Sequence, residues 1–323
     1  MKDKRRNPLS RRNLLSAVVG GALAGSCAGK VRAPFGGRRR DELILCGWDE
    51  VFILSVQSGA GGAPQKVWSW RAAECPNLPQ KLHRNYRSTD ECKPVDGGRK
   101  ILITSSSNGV ALVERATKRA LFHATVTNAH SAEWLPENRI VVAASVSESG
   151  TGNRLVLFNA GESEKEIFSD EIHSAHGVVW DEAREILWAL GSDELRAYRL
   201  RDGETASPRL EREKTFRLPD EGGHDLSPIP RSPLLFVSTS KRCWHFNRDL
   251  RKFAPHDILA DAERVKGYSV HSATGQIAYV QAEGENWWSE RVRLLRPEAV
   301  IHLTGERLYK ARWNAAAIVS KPA

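Results

Sequence analysis

A chain of 323 residues, 41% hydrophobic and 27% charged, has the composition of an ordinary globular protein and is long enough for one large β domain. Its net charge of +9 comes from one end: residues 1–40 hold eleven Lys or Arg against one Asp, so the other 283 residues carry a net −1. The folded part thus lacks the basic surface that phosphate backbones require, and nucleic acid is not an expected partner.

Residues 1–28 read as an export signal. Lys2, Lys4, Arg5 and Arg6 form a basic head, and Arg11-Arg12 within Ser10–Leu15 is of the type that the bacterial twin-arginine export machinery takes up. The apolar stretch Leu14–Gly25 is too short to span a bilayer. Two cleavage routes before Cys27 are open: a small-residue site at Ala24-Gly25-Ser26, or an imperfect lipoprotein box, Leu23–Cys27, that would place a lipid on Cys27. The expected location is the periplasm or the cell exterior, with membrane contact only through such an anchor. Residues 29–40 form a flexible basic linker, and 41–323 a single domain. Cys46, Cys75, Cys92 and Cys243 lack C-x-x-C metal spacing. An oxidising compartment permits a Cys75–Cys92 disulfide, with free buried thiols as the alternative.

From residue 41 onward short β-rich runs recur between turn residues, without long helical periods. His130, His176 and His224 are each followed ten residues later by the start of an apolar run, and they lie 46 and 48 residues apart. A period of that size predicts propeller blades, each a four-stranded sheet. The first blade holds Leu43–Cys46, Val51–Val56 and Lys66–Trp70 and lacks its innermost strand. Glu91–Val95, His130, His176, His224 and Lys266 then open five further blades. The remaining strand, 308–314, is left to fill the vacant inner place of the first blade. The expected fold is therefore an all-β, six-bladed propeller closed by its C-terminal strand, and the expected state is a monomer.

In such a ring the start of each innermost strand and the loop between strands two and three lie on one face around the axis. Asp90, Glu91, Lys93, His130, Glu133, His176, His224, Asp225, Lys266, Lys310 and Arg312 are thereby candidate ligand-binding residues. Trp48-Asp49-Glu50, Ser105–Asn108, Ser145–Asn153, Lys241-Arg242 and Glu285–Ser289 are the loops beside them. A bland alternative exists for each histidine: a tether inside its own blade, as His176 could make to Asp181. Trp134, Trp180, Trp188 and Trp244 are expected to pack in the core, whereas Trp287-Trp288, in a polar loop, are the rings best placed to meet a ligand, with a loop anchor as the commoner alternative.

Cys46–Asp49, Thr89–Val95, Ala129–Glu133, His176–Asp181, Gly222–Leu226, Val265–Gly267 and Tyr309–Trp313 together resemble a family of uncharacterised, secreted bacterial six-bladed propellers, a domain of unknown function. The resemblance covers nearly all of 41–314. It implies the fold and export, and supplies no reaction.

Three functions remain. A binding module would hold a polar small molecule, saccharide-type or anionic, at the axial mouth. An enzyme, by analogy with metal-dependent lyases of acidic saccharides, would hold one divalent ion on His130, His176 and His224, with Glu91 or Glu133 as base and Lys266 or Lys310 stabilising negative charge. A scaffold would use the sides of the ring to hold other proteins. No nucleophile elbow, phosphate loop or H-E-x-x-H is present.

Overall fold

The computed structural model describes residues 40–57, 63–148 and 150–314. The expected export signal 1–28, with Cys27, and the expected linker up to residue 39 lie outside the described residues.

Runs such as Arg139–Ala144 are buried along their whole length rather than at alternate positions. That pattern demands cover on both faces of a sheet, and a ring of sheets standing face to face supplies it. Blade 1 contains β1 (Arg40–Gly47), β2 (Glu50–Gln57) and β3 (Gln65–Trp70). Blade 2 runs through β4 (Thr89–Val95), β5 (Lys100–Ser105), β6 (Gly109–Glu114) and β7 (Ala120–Thr125). Blade 3 has β8 (Ala129–Leu135), β9 (Arg139–Ala144), β10 (Arg154–Asn159) and β11 (Glu166–Glu171). Blade 4 has β12 (Gly177–Asp181), β13 (Ile186–Leu190), β14 (Glu194–Arg201) and β15 (Arg209–Arg217). Blade 5 has β16 (Asp225–Pro228), β17 (Leu234–Ser238), β18 (Cys243–Asn247) and β19 (Lys252–Pro255). Blade 6 has β20 (Val265–Val270), β21 (Ile277–Gln281), β22 (Arg291–Leu295) and β23 (Ala299–His302).

The last strand, β24 (Lys310–Asn314), returns to blade 1 and pairs antiparallel with β1, with Cys46 opposite Lys310 and Ile44 opposite Arg312. The six sheets are thus four-stranded, and the expected closure by the C-terminal strand is what the chain makes. Six apolar clusters fill the gaps between neighbouring blades. Ile44 and Ile53 meet Ile101 and Ile103 between blades 1 and 2, and Leu43 and Leu45 meet Val280 and Val292 between blades 6 and 1. Each such side chain contributes about 1.5–3 kcal/mol on burial, so the interfaces between blades carry the stability.

Residues 71–88, which have no strand pattern, wrap the gap between blades 1 and 2 with two short 3-10 turns. Tyr86 anchors them: its hydroxyl donates to Val110 O at 2.7 Å and its ring meets Trp70 edge-on at 5.4 Å. A Cβ on Gly109 would lie 2.7 Å from that ring, so the contact needs glycine there. The cysteines of the described residues are free and buried, and the Cys75–Cys92 bond is not made. Cys75 Sγ faces Lys118 O at 3.4 Å, whereas Cys92 Sγ faces Ile44 O at 3.5 Å.

Deleting residues 306–323 removes β24 and should leave an open ring that aggregates. Size-exclusion chromatography and thermal melting check this; a monomer with unchanged melting would refute closure by that strand.

Candidate functional site

Inner strands run close to the axis, so residues at their starts face one another. Three of them carry a local irregularity. The ladder between β4 and β5 steps from Thr89 to Glu91, leaving Asp90 as an extra residue. Between β8 and β9 the ladder passes over His130, and between β20 and β21 it passes over Lys266. A bulge leaves one residue out of the pairing and re-aims its side chain. The three bulged positions are thus candidate site residues, each at the start of its inner strand. His176 and His224 stand just before β12 and β16, fixed by backbone bonds from their N–H groups to Leu190 O and Ser238 O, both 2.9 Å.

Below the mouth the axis is plugged by a buried ion cluster. Arg312 makes two paired contacts, to Glu91 through Nε and Nη2 (2.8 and 2.9 Å) and to Asp225 through Nη1 and Nη2 (3.0 and 2.7 Å). Its Nη1 also donates to Ser227 Oγ and Tyr268 O. Lys310 Nζ adds bonds to Asp225 at 3.1 Å and Glu91 at 3.4 Å, and Ser131 Oγ donates to Glu91 at 3.1 Å. Burial alone would raise the Glu91 and Asp225 pKa values, but the Arg312 and Lys310 charges overcome it and hold both below the usual carboxylate range. Beside this cluster Lys93 Nζ pairs with Glu133 at 2.9 Å and donates to Val178 O at 2.8 Å. Gly267 lets β20 approach β24, since a Cβ there would lie 2.8 Å from Lys310 Cα.

Above the plug the imidazoles form an arc. His130 and His176 stack face to face, 4.3 Å apart with planes at 15°, and His224 meets His176 edge-on at 5.2 Å. Tyr309 lies 6.1 Å from His130 on the other side. His176 Nδ1 donates to Ser174 O at 2.8 Å. Lys266 Nζ donates to His224 Nε2 at 3.1 Å, and His224 Nδ1 is buried without a hydrogen-bond partner. Burial depresses the His176 pKa well below its usual value, with His130 and His224 adding to the effect. Burial together with Lys266 lowers His224 to about 3. Lys266 itself is lowered to about 8 by burial and by the nearby charges of Arg264 and Lys310. The mouth is thus lined by His130 beside Asp90, by His176 and His224, whose imidazoles are held neutral, and by the Lys266 ammonium, which enters no ion pair among the described residues.

The candidate residues therefore fall into two layers. Glu91, Asp225, Lys310 and Arg312 are consumed by one another, as Lys93 and Glu133 are, so the carboxylates considered as bases are held in ion pairs. Asp90, His130, His176, His224 and Lys266 line the mouth, with Asp90 Oδ1 3.3 Å from His130 Nδ1. The three histidines do not converge as a metal tripod. Two lie in nearly parallel planes and the third meets His176 edge-on, with His176 Nδ1 and His224 Nε2 already engaged. A closer grouping of metal-type donors is His245, His256 and Asp257, but His256 Nδ1 already accepts the N–H groups of Ile258 and Leu259. The His176–Asp181 tether is not formed either: Asp181 takes Arg184 and Arg248 at 2.9 and 2.8 Å.

Trp134 and Trp180 pack partly buried between blades, Trp188 is fully buried, and Trp244 is half-buried with Nε1 on Asp220 at 3.0 Å. Trp287 is exposed and stacks on Trp48 of the β1–β2 turn at 5.7 Å. Residues that pattern reasoning did not single out include Tyr309, whose one signal was its place before Lys310, and the hydroxyls of Ser131 and Ser227.

Replacing Arg312 by Ala leaves two buried carboxylates to share one cation, Lys310, and should cost about 3–5 kcal/mol at pH 7. The depressed carboxylates stabilise the wild type above their unfolded pKa, near 4, and that contribution fades as pH falls toward their folded values. In the variant they protonate readily on acidification, which relieves the strain. The gap between the two proteins should therefore shrink from pH 7 to pH 3.5; urea melts giving equal gaps would refute the assignment.

No curated protein is significantly similar in sequence to this chain. Residues 55–323, most of its length, match the profile of a family of unknown function, DUF6528, and the protein belongs to that family.

Proposed function

We propose that this propeller binds a polar, anionic ligand of saccharide type at its axial mouth. The observation that carries the reading is Lys266. Three cations of the candidate set, Lys93, Lys310 and Arg312, meet protein carboxylates, whereas Lys266 meets only the neutral His224. A buried ammonium without a counter-charge is costly, and a ligand carboxylate beside it would remove that cost. The partnerless His224 Nδ1–H is a donor for a hydroxyl or carboxylate oxygen, and the imidazole arc offers further polar atoms. Exposed Trp rings on the same face are suited to the apolar face of a sugar ring. On this reading the twin-arginine signal carries the folded protein out of the cell, where such saccharides are met, with Cys27 as a candidate anchor.

The lowered Lys266 pKa gives the proposal a pH signature. Its charge is present below about 8 and is lost as pH rises through that value, so affinity for an acidic ligand should fall from pH 6.5 to pH 9.5. Calorimetric titration at pH 6.5 with galacturonate and galactose should show at least a tenfold preference for the acid, about 1.4 kcal/mol. Lys266→Met should abolish the preference. Equal binding of acid and neutral sugar, or binding of neither, would overturn the reading.

A further inference from the structure

Among the described residues, the two exposed tryptophans of the protein's ten, Trp48 and Trp287, come from different blades and lie against each other, with planes 17° apart. Exposing two large rings side by side forgoes the burial each would gain in a blade interface. Trp48 also holds a left-handed backbone (φ 54°), which a bulky side chain adopts at a cost and which glycine would adopt freely. Of the pair, Trp48 is held by Arg307, whose guanidinium lies 4.2 Å from the Trp48 ring centre and 5.3 Å from that of Trp288, the neighbour of Trp287.

The pair is continuous with the mouth. Trp287 meets the ring of Tyr309 edge-on at 5.7 Å, and Tyr309 in turn faces His130 at 6.1 Å. On its far side Trp48 borders a polar depression of about 470 Å³ shared with Asp49, Glu50, Arg71, Glu306 and Arg307. Ring contacts therefore run from His130 at the axis through the buried Tyr309 to the half-exposed tryptophan pair, with a polar hollow at the edge of blade 1 beyond Trp48.

We infer that the ligand is an acidic oligosaccharide of at least two units, its acidic unit at the axis and the next unit stacked on the Trp48–Trp287 pair. This rests on the reading of the mouth as an acidic-saccharide site and adds the length and direction of the bound chain. A single sugar at the axis would leave the aromatic pair and the depression unused. A chain running outward would use each, the ring faces against the indoles and the hydroxyls in the hollow.

Titrations with galacturonic acid, its dimer and its trimer test the idea. The wild type should bind the trimer at least tenfold more tightly than the monomer, and the oligomers alone should shift the tryptophan fluorescence. Trp287→Ala and Trp48→Ala, both at exposed positions, should leave the melting temperature unchanged within error and reduce the trimer's advantage over the monomer to less than threefold. Lys266→Met should weaken monomer and trimer alike. Equal affinity of the wild type for monomer and trimer, or equal losses for both in Trp287→Ala, would overturn the inference while leaving the mouth as an acidic-sugar site. Failure of every galacturonide to bind would remove that site and the inference with it.

Discussion

Glu91 and Asp225 sit wholly buried beside the axis, and the ring can hold them only because Arg312 reaches both. The guanidinium places its fork against two carboxylates at once, and Lys310, two residues earlier on the same strand, supplies the second positive charge. The four charges cancel. They also span the molecule: Glu91 comes from blade 2, Asp225 from blade 5 and both cations from blade 1. Ser131 of blade 3 and the Tyr268 carbonyl of blade 6 complete the bonding. Blade 4 is joined by its backbone, through Lys93 to Val178 O and Glu133 to Trp180 N.

That arrangement makes closure of the ring an electrostatic event as well as a hydrogen-bonding one. Before β24 arrives, two carboxylates would be left in a closing, water-poor channel. An apolar plug of equal volume would be about as stable, so stability alone does not account for charged groups here. A single register does need them: only with Arg312 opposite Ile44 and Lys310 opposite Cys46 do the cations fall level with both acids. A slip by one residue would turn both cations to the other face of the strand.

How far the sequence reveals this follows from what each segment buries. The six blades are legible because inner and middle strands are covered on both faces and read as unbroken apolar runs, as Arg139–Ala144 and Ile186–Leu190 do. Outer strands are harder to see. Glu166–Glu171, Lys252–Pro255 and Ala299–His302 face solvent along most of their length and carry no such signal. Periodicity also brings the leading polar residues to one mouth, as the structure does. It does not say which of them spend their charge on one another. Arg312 and Lys266 look equivalent as cations near the axis, yet one is bound by two carboxylates and the other faces an imidazole, a distinction set by contacts more than 40 residues apart. Likewise, three evenly spaced histidines suggest a metal tripod, and only the orientation of the rings shows two of them stacked and the third edge-on.

Once the plug has consumed Glu91, Asp225, Lys310 and Arg312, the character of the mouth is fixed by subtraction. Inner strands that served the ring alone would run flat, since every bulge gives up ladder pairing on the strands nearest the axis. Three blades nevertheless insert one residue each, and those residues are Asp90, His130 and Lys266. Because side chains alternate along a strand, the insertion lets consecutive residues serve different layers: Glu91 turns into the plug while Asp90 stays above it beside His130. The same device separates Lys266, at the mouth, from Gly267, whose missing side chain makes room for Lys310 below. One bulge thus divides each strand between holding the ring shut and lining its opening.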